Sequence, residues 1–425
     1  MKRKVLVVGL DGLPYTLAKR LCEDKVMPRM AALFRDGSCR AMTSVLPSVS
    51  GVAWSAFLTG RNPGQFGVFG FYELDRDLQI HIPDRTWLRV PTFLRELSLS
   101  GLQVVSVGIP MTYPPDPVAG TTIGGFLSPS LQEAVHPAAL LPVLEAVGYK
   151  IDLDVAGAQY DRDRLRAESI ESLRAREQAL LHLLAQPWDV FVCHVLETDR
   201  VHHFFWEEVE GLSTNTTDWI IDFYRAVDHL LGRLVDASGP DTEVMVLSDH
   251  GFCRTECEVQ LNRWLADEGY LQLAGDPGRF QFQALSPTSR AVALVPGRIH
   301  VLTPAFWTNG RVSEDRYAEL VEEIGCKLIE LQHPVSGRRV CRRVLRRDEV
   351  FVGPCTSRAP DLIIEPEDGF DLKASLTATG VFNPVVRTGM HTYGDALVSL
   401  RGRELPSGLT SITDCASILG MLEQE

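Results

Sequence analysis

Lys4-Val-Leu-Val-Val-Gly9 leads into Asp11, and Val190-Phe-Val-Cys-His-Val-Leu196 leads into Asp199. Both stretches are short, rich in β-branched residues and almost free of polar alternation, and a carboxylate follows each. A strand with one wet face alternates apolar and polar side chains, whereas one that is apolar throughout is covered on both faces. Glu243-Val-Met-Val-Leu247 before Asp249 reads the same way, as do Leu102–Ile109 and Ala396–Leu400. Helical patterns lie between these runs. They are Pro91–Leu97, Asp161–Gln186 stopped by Pro187, Thr217–Asp236 with Ile220, Ile221, Tyr224, Val227, Leu231 and Leu234 on one stripe, and Ser313–Leu331. Buried strands alternating with helices predict an α/β fold, a central, mostly parallel sheet with helices on both faces.

The 425 residues carry 45% hydrophobic side chains and a mean hydropathy of zero, as expected of an ordinary soluble globular protein. We read 1–425 as a single domain, with the loop-like Gly-, Pro- and Arg-rich stretch from about 275 to 361 as an insertion or cap within it. The formal charge of −13 argues against a nucleic-acid polymer as partner. The one dense basic run is Arg338, Arg339, Arg342, Arg343, Arg346 and Arg347, with apolar residues between the pairs, which reads as a strand or hairpin with a solvated face. The nine cysteines have no metal spacing; Cys253 and Cys257 are the closest pair and lack a second pair to complete a zinc site. Asp11 interrupts the apolar run of MKRKVLVVGLDGL too early for a signal peptide, and no stretch reaches the ~18 apolar residues of a membrane span. Reduced thiols, a cytoplasmic location and no membrane contact are the expectation.

The strand ends carry the chemistry. Open α/β sheets bind ligands at the carboxyl ends of their strands, and there this chain places Asp11, Asp199 with His203 four residues on, and Asp249-His250; His391 follows late in the sequence. Singly, each has an ordinary structural use in a turn, an ion pair or a loop. Together, three carboxylates and three imidazoles are enough for two N/O metal sites with positions left open for water or substrate. The candidate nucleophile lies in Leu46-Pro-Ser-Val-Ser-Gly-Val-Ala-Trp-Ser-Ala-Phe-Leu-Thr-Gly60, where Ser50 would cap a short helix, Gly51–Leu58, ending at Gly60. A hydroxyl there faces free backbone N–H groups and the positive end of the helix. Ser48 is the competing hydroxyl.

These segments resemble the alkaline phosphatase superfamily, in its type I phosphodiesterase/nucleotide pyrophosphatase branch. The marks span nearly the whole chain: VVGLDG, PSVSGVAWSAFLTGRNPGQFGVFGF, ETDRVHHFFW, LSDHGF followed by LNRWLADEGYL, APDLIIEP and GMHTYGDALV. The resemblance implies one metal held by Asp199, His203 and His391, a second held by Asp11, Asp249 and His250, and Ser50 as nucleophile facing the second. It also implies a phosphoserine intermediate and retention of configuration at phosphorus. Mixed carboxylate and imidazole ligands suit Zn²⁺, with Mn²⁺ as the main competitor. His202 reads as a surface or supporting group, and His194 as core.

Two positions depart from the branch: Gly70-Phe71-Tyr72 stands where a phosphoryl-binding Asn is expected, and Phe66 where a His is usual. Both put nucleotide specificity in question and leave the metal ligands intact. The expected substrate is a small phosphate ester or pyrophosphate. Diesters are favoured over monoesters because Arg61 is the one basic residue near Ser50 in sequence, while Phe66, Phe69, Phe71 and Tyr72 supply an apolar wall; Arg200 and the arginine-rich stretch could bring a cation from afar. A monoesterase or phosphomutase on the same core is the alternative. A sulfatase would need Cys/Ser-x-Pro-x-Arg, which Ser50-Gly-Val-Ala-Trp does not offer, and a non-catalytic scaffold would be expected to have lost ligands.

Overall fold

The computed structural model describes residues 4–157, 160–212, 219–275 and 281–420. Its main sheet is built from β1 (Val5–Leu10), β2 (Gly37–Met42), β3 (Val104–Val107), β4 (Gly120–Ile123), β5 (Val135–His136), β6 (Val190–Val195), β7 (Glu243–Leu247) and β8 (Ala396–Arg401). Their spatial order is β2-β8-β7-β1-β6-β3-β4-β5. The five central strands β7, β1, β6, β3 and β4 run parallel; β8 joins β7 antiparallel, β2 joins β8 antiparallel and β5 joins β4 antiparallel.

The unbroken apolar runs are explained by two separate cores. Leu6, Val8 and Leu10 of β1 enter one with Phe191, Cys193 and Val195 of β6, while Val5 and Val7 enter the other with Val190 and Val192. Every residue of both strands is buried. Each fully buried Val, Leu or Phe contributes about 1.5–3 kcal/mol relative to exposure, which is what holds helices to both faces. Helix α1 (Ser50–Thr59) lies over the second core, and α2 (Arg162–Leu184), α3 (Glu197–Glu210) and α4 (Trp219–Ser238) cover the first. The bounds follow the expected ones closely. Asp161 caps α2 by accepting from the Arg164 N–H at 3.0 Å. The expected start of α4, Thr217, lies outside the described residues. No helix among the described residues is long and apolar enough to cross a membrane.

The 275–361 stretch is more regular than its composition suggests. Ala291–Leu294, Arg298–Val301, Leu362–Pro366 and Cys341–Arg346 form a second, antiparallel sheet in that order, backed by α5 (Glu314–Ile329) through Leu320, Val321, Ile324 and Leu328. Gly and Pro fall at connections such as Val295-Pro296-Gly297 and, within the four strands, only at the terminal Pro366. The arginine run lies on the Cys341–Arg346 strand and its flanks: Arg342 pairs with Glu367 and Asp368, Arg343 with Glu365, Arg346 with Glu322 and Arg347 with Asp361. This third apolar cluster, belonging to the second sheet, also takes in Leu74, Val259, Leu265 and Leu372.

One buried ion pair ties the helical layer to the site. Arg176 of α2 donates to Glu197, the first residue of α3, at 2.9 and 3.0 Å, and both are out of solvent. Ser172 and Tyr149 complete the network. Arg176→Met is expected to destabilise the protein by about 3–5 kcal/mol, because it leaves the Glu197 carboxylate buried without its cation. A urea midpoint unchanged from wild type would show that Glu197 finds another partner.

Candidate active site

The register of the central strands delivers the carboxylates to one place. Gly9 lies beside His194 and Leu247, so the chain leaving β1, β6 and β7 emerges side by side at the sheet's carboxyl edge. Asp11 and Asp249 follow directly; Asp199 sits in the first turn of α3 with His203 one turn on. All three carboxylates are buried. The β1 turn depends on Gly12, at φ +61°, whose N–H donates to Asp249 Oδ1 at 3.1 Å. A Cβ there would lie 2.8 Å from the Phe252 ring and 3.0 Å from the His250 ring, so any other residue would strain the turn and push on both rings.

His391 arrives by a different route. Gly251–Arg254 pairs antiparallel with Gly389–Thr392, placing Phe252 opposite His391. The His391 and His250 rings stack with centroids 3.6 Å apart. His391 Nε2 lies 3.1 Å from Asp199 Oδ1 and 3.0 Å from His203 Nε2. His250 Nε2 lies 3.5 Å from Asp11 Oδ1 and 3.3 Å from Asp249 Oδ2. The six expected residues therefore converge as two adjoining trios. The ligand atoms of Asp199, His250 and His391 also come together, so His250 stands between the trios.

The chemistry of the donors tests whether cations fit here. Each ring presents Nδ1 to a backbone carbonyl: His203 to Gly389 at 2.9 Å, His250 to Gly251 at 3.0 Å and His391 to Ser48 at 3.1 Å. A carbonyl only accepts, so the ring proton sits on Nδ1 and Nε2 is left with a bare lone pair. Burial keeps His203 well below the usual imidazole range, consistent with a neutral ring. Three lone pairs thus face carboxylate oxygens that also only accept, and Asp249 Oδ2 is buried with no hydrogen-bond partner. Without a cation, burial and then the charges of Asp249 and Asp199 drive the Asp11 carboxyl well above its ordinary value. A divalent ion would relieve that crowding and keep the group an ionised acceptor. An acceptor-only cluster of this kind fits divalent cations.

Ser50 points into it. Its Oγ is 3.4 Å from Asp11 Oδ1 and 3.3 Å from His250 Nε2. The expectation that Ser50 caps the helix is off by one residue: Val49 is the cap and Ser50 the first helical residue, so its hydroxyl is not spent on a backbone N–H. Gly60 ends the helix in the left-handed conformation, as expected. Ser48 Oγ instead donates to the Val45 carbonyl at 3.2 Å.

The profile of the type I phosphodiesterase / nucleotide pyrophosphatase family matches residues 5–393. The chain belongs to that family. It is thereby a phosphoric ester hydrolase of the alkaline phosphatase superfamily. Phosphonoacetate hydrolase from Sinorhizobium meliloti 1021, in complex with phosphonoformate, has the same fold at 15% identity and a TM-score of 0.67, over 99% of this chain and 96% of that one. Murine ectonucleotide pyrophosphatase / phosphodiesterase 5 is 15% identical with a TM-score of 0.54, over 99% and 95%. An inactive variant of that protein, in complex with AMP, is 16% identical with a TM-score of 0.55, over 99% and 95%. No curated protein sequence matches the chain.

Three residues gain meaning that sequence reading did not give them. His194, read as core, is buried but turns Nε2 to Asp11 Oδ2 at 2.6 Å, fixing that carboxylate so that Oδ1 faces Ser50. Burial holds it down to about 4, so it is neutral and donates. A lone polar residue in the apolar run of β6 was the available signal. His202 is buried, not a surface group, and binds the Gly12 carbonyl at 2.9 Å and the Tyr224 hydroxyl at 2.6 Å, bracing the β1 turn. Arg200 forks onto Asp152 at 2.9 and 2.8 Å and reaches Asp199 Oδ2 at 2.8 Å, leaving Asp199 Oδ1 for the cluster.

The site opens into a cleft of about 680 Å³ between the main and second sheets. Of the four aromatic residues expected to wall it, Phe71 and Tyr72 do, whereas Phe66 and Phe69 are buried in core. The turn between them is set by Gly70, where a Cβ would lie 2.2 Å from the Arg298 guanidinium. That group bonds the Tyr72 carbonyl at 2.8 Å and Glu73 at 3.1 Å, anchoring the aromatic wall to the second sheet.

Proposed function

We propose that the protein is a dinuclear-metal phosphodiesterase or pyrophosphatase acting on small molecules through Ser50. What carries this reading is the acceptor-only cluster with a free hydroxyl aimed into it. Asp199, His203 and His391 would hold one cation and Asp11, Asp249 and His250 the other; Zn²⁺ suits these donors best, with Mn²⁺ its competitor. When bound, such ions supply Lewis acidity and neutralise charge on a transferring phosphoryl group. The chain's own groups do the positioning. Asp11, fixed by His194, accepts from Ser50 Oγ. The free N–H groups at the start of α1 favour a phosphoryl oxygen beside that hydroxyl. The carbonyls of Ser48, Gly251 and Gly389 hold the imidazoles in one tautomer. Attack by Ser50 Oγ on phosphorus breaks the bond to the leaving group, which departs as an alcohol or phosphate. It leaves a phosphoserine, still esterified when the substrate is a diester. Water then breaks the Ser50 O–P bond, and the two in-line displacements give retention at phosphorus.

The cleft's size fits a small ligand, and the fold neighbours hold phosphonoformate or AMP. We read the chain as one catalytic domain over 1–425, with the 275–361 segment contributing to a cap over the cleft. Nine free cysteines accord with a cytoplasmic protein.

The test is kcat/KM for an aryl phosphodiester against an aryl phosphomonoester, at one pH, on protein loaded with the same metal. Arg200 and Arg342 are tied to carboxylates and the wall beside Ser50 is aromatic. The diester should be favoured by about tenfold or more, the scale of one charge-assisted contact that the dianion lacks. A monoester preference moves the assignment to a phosphatase or mutase. No turnover of either by metal-loaded protein defeats it.

A further inference from the structure

Among the described residues, four cationic side chains line the cleft: Arg200, Arg342, Lys373 and Arg387. Three are committed. Arg200 holds Asp152 and Asp199, Arg342 holds Glu367 and Asp368, and Lys373 holds Asp371. Arg387 has no carboxylate within ion-pair distance among the described residues. It is half-buried, and its guanidinium carbon lies 5.7 Å from the centre of the Phe204 ring.

The backbone around it is pinned to the metal-ligand cluster. Thr388 Oγ1 accepts from the Trp206 N–H at 2.9 Å, and the Gly389 carbonyl accepts from His203 Nδ1 at 2.9 Å. Arg387 therefore stands at a fixed place on the His203 side of the cleft, stacked on an aromatic face, with its donors free. A guanidinium partly removed from water and left without a partner is costly unless a ligand supplies the anion. Its planar fork suits a carboxylate or phosphate.

We infer that Arg387 is a specificity residue that binds a second negative charge, carried by the substituent of the substrate and separate from the reacting phosphorus. The preferred class is then pyrophosphates, or phosphodiesters whose ester group bears a phosphate or carboxylate. This rests on the phosphodiesterase or pyrophosphatase reading above.

Three substrates separate the possibilities on metal-loaded protein: a methyl aryl phosphate, a carboxymethyl aryl phosphate and a nucleoside triphosphate. Wild type should prefer the two with a second anion, and the better of them says whether carboxylate or phosphate fits. Arg387→Gln should lower kcat/KM on those two by about 10- to 100-fold, chiefly through KM, and on the methyl ester by less than about threefold. Arg387→Lys should recover part of the loss, with metal content unchanged in both variants. Equal losses on all three substrates would overturn the inference, because the contact would then be with the reacting phosphoryl group or with His203. No loss on any would overturn it as well. Wild type that hydrolyses none of them defeats the parent reading, and this inference with it, before any variant is made.

Discussion

Ser50→Ala is expected to abolish turnover, by about 10³-fold or more, while leaving fold and metal content near wild type. The hydroxyl makes two contacts, to Asp11 at 3.4 Å and His250 at 3.3 Å, both long for hydrogen bonds, so little stability rests on it. It caps no helix, since Val49 holds that place. Alanine at the first helical position keeps the backbone N–H groups and removes only the attacking atom. Ser48→Ala should be mild, because its Oγ binds the Val45 carbonyl and its contribution to the site, the carbonyl that orients His391, is backbone. Steady-state rates with thermal melts and elemental analysis check both. If Ser48→Ala kills activity and Ser50→Ala does not, the nucleophile has been misplaced by two residues.

The second large effect is on metal. Elemental analysis of saturated protein should find close to two divalent ions per chain, and Asp249→Ala should lose at least one, with activity falling alongside. Asp249 is the most exacting member of its trio. Its Oδ1 is committed to the Gly12 N–H at 3.1 Å, and its Oδ2 is buried with no hydrogen-bond partner. A buried acceptor without a donor costs about 1–3 kcal/mol, more when it is charged, a cost that a cation would remove. The variant should also lose part of the stabilisation that metal gives wild type, so melting temperature should respond less to added Zn²⁺. A wild-type chain that binds no divalent ion would sink the two-metal reading outright.

The fold and most of the candidate ligands were legible because they depend on local pattern. An apolar run without alternation says that both faces of a strand are covered, and the polar residue after it marks the end where ligands bind. His203 follows Asp199 by one helical turn, and His250 follows Asp249 directly, so each pair is close in space whatever the rest of the chain does. The misreadings share a cause. Phe66 and Phe69 were grouped with Phe71 and Tyr72 as a wall, yet the turn at Gly70, fitted against the distant Arg298, sends the first pair into core and the second into the cleft. Composition made 275–361 look like loop because Gly and Pro mark connections, and it cannot show how short strands between them pair.

By itself, the sequence determined the doubly covered parallel sheet, the strand ends that carry Asp11, Asp199 and Asp249, and the segment holding Ser50. The tertiary structure decided which distant groups meet them. His391 reaches the cluster through an antiparallel pairing with Gly251–Arg254, and His194 meets Asp11 through the register of two strands nearly two hundred residues apart. Among the described residues it also decided which cleft cation is left over: Arg200, Arg342 and Lys373 have carboxylates folded onto them and Arg387 does not. Local periodicity follows from backbone geometry that every residue carries with it. Pairing of charges and registers depends on which surfaces close on one another, and that is a property of the whole chain.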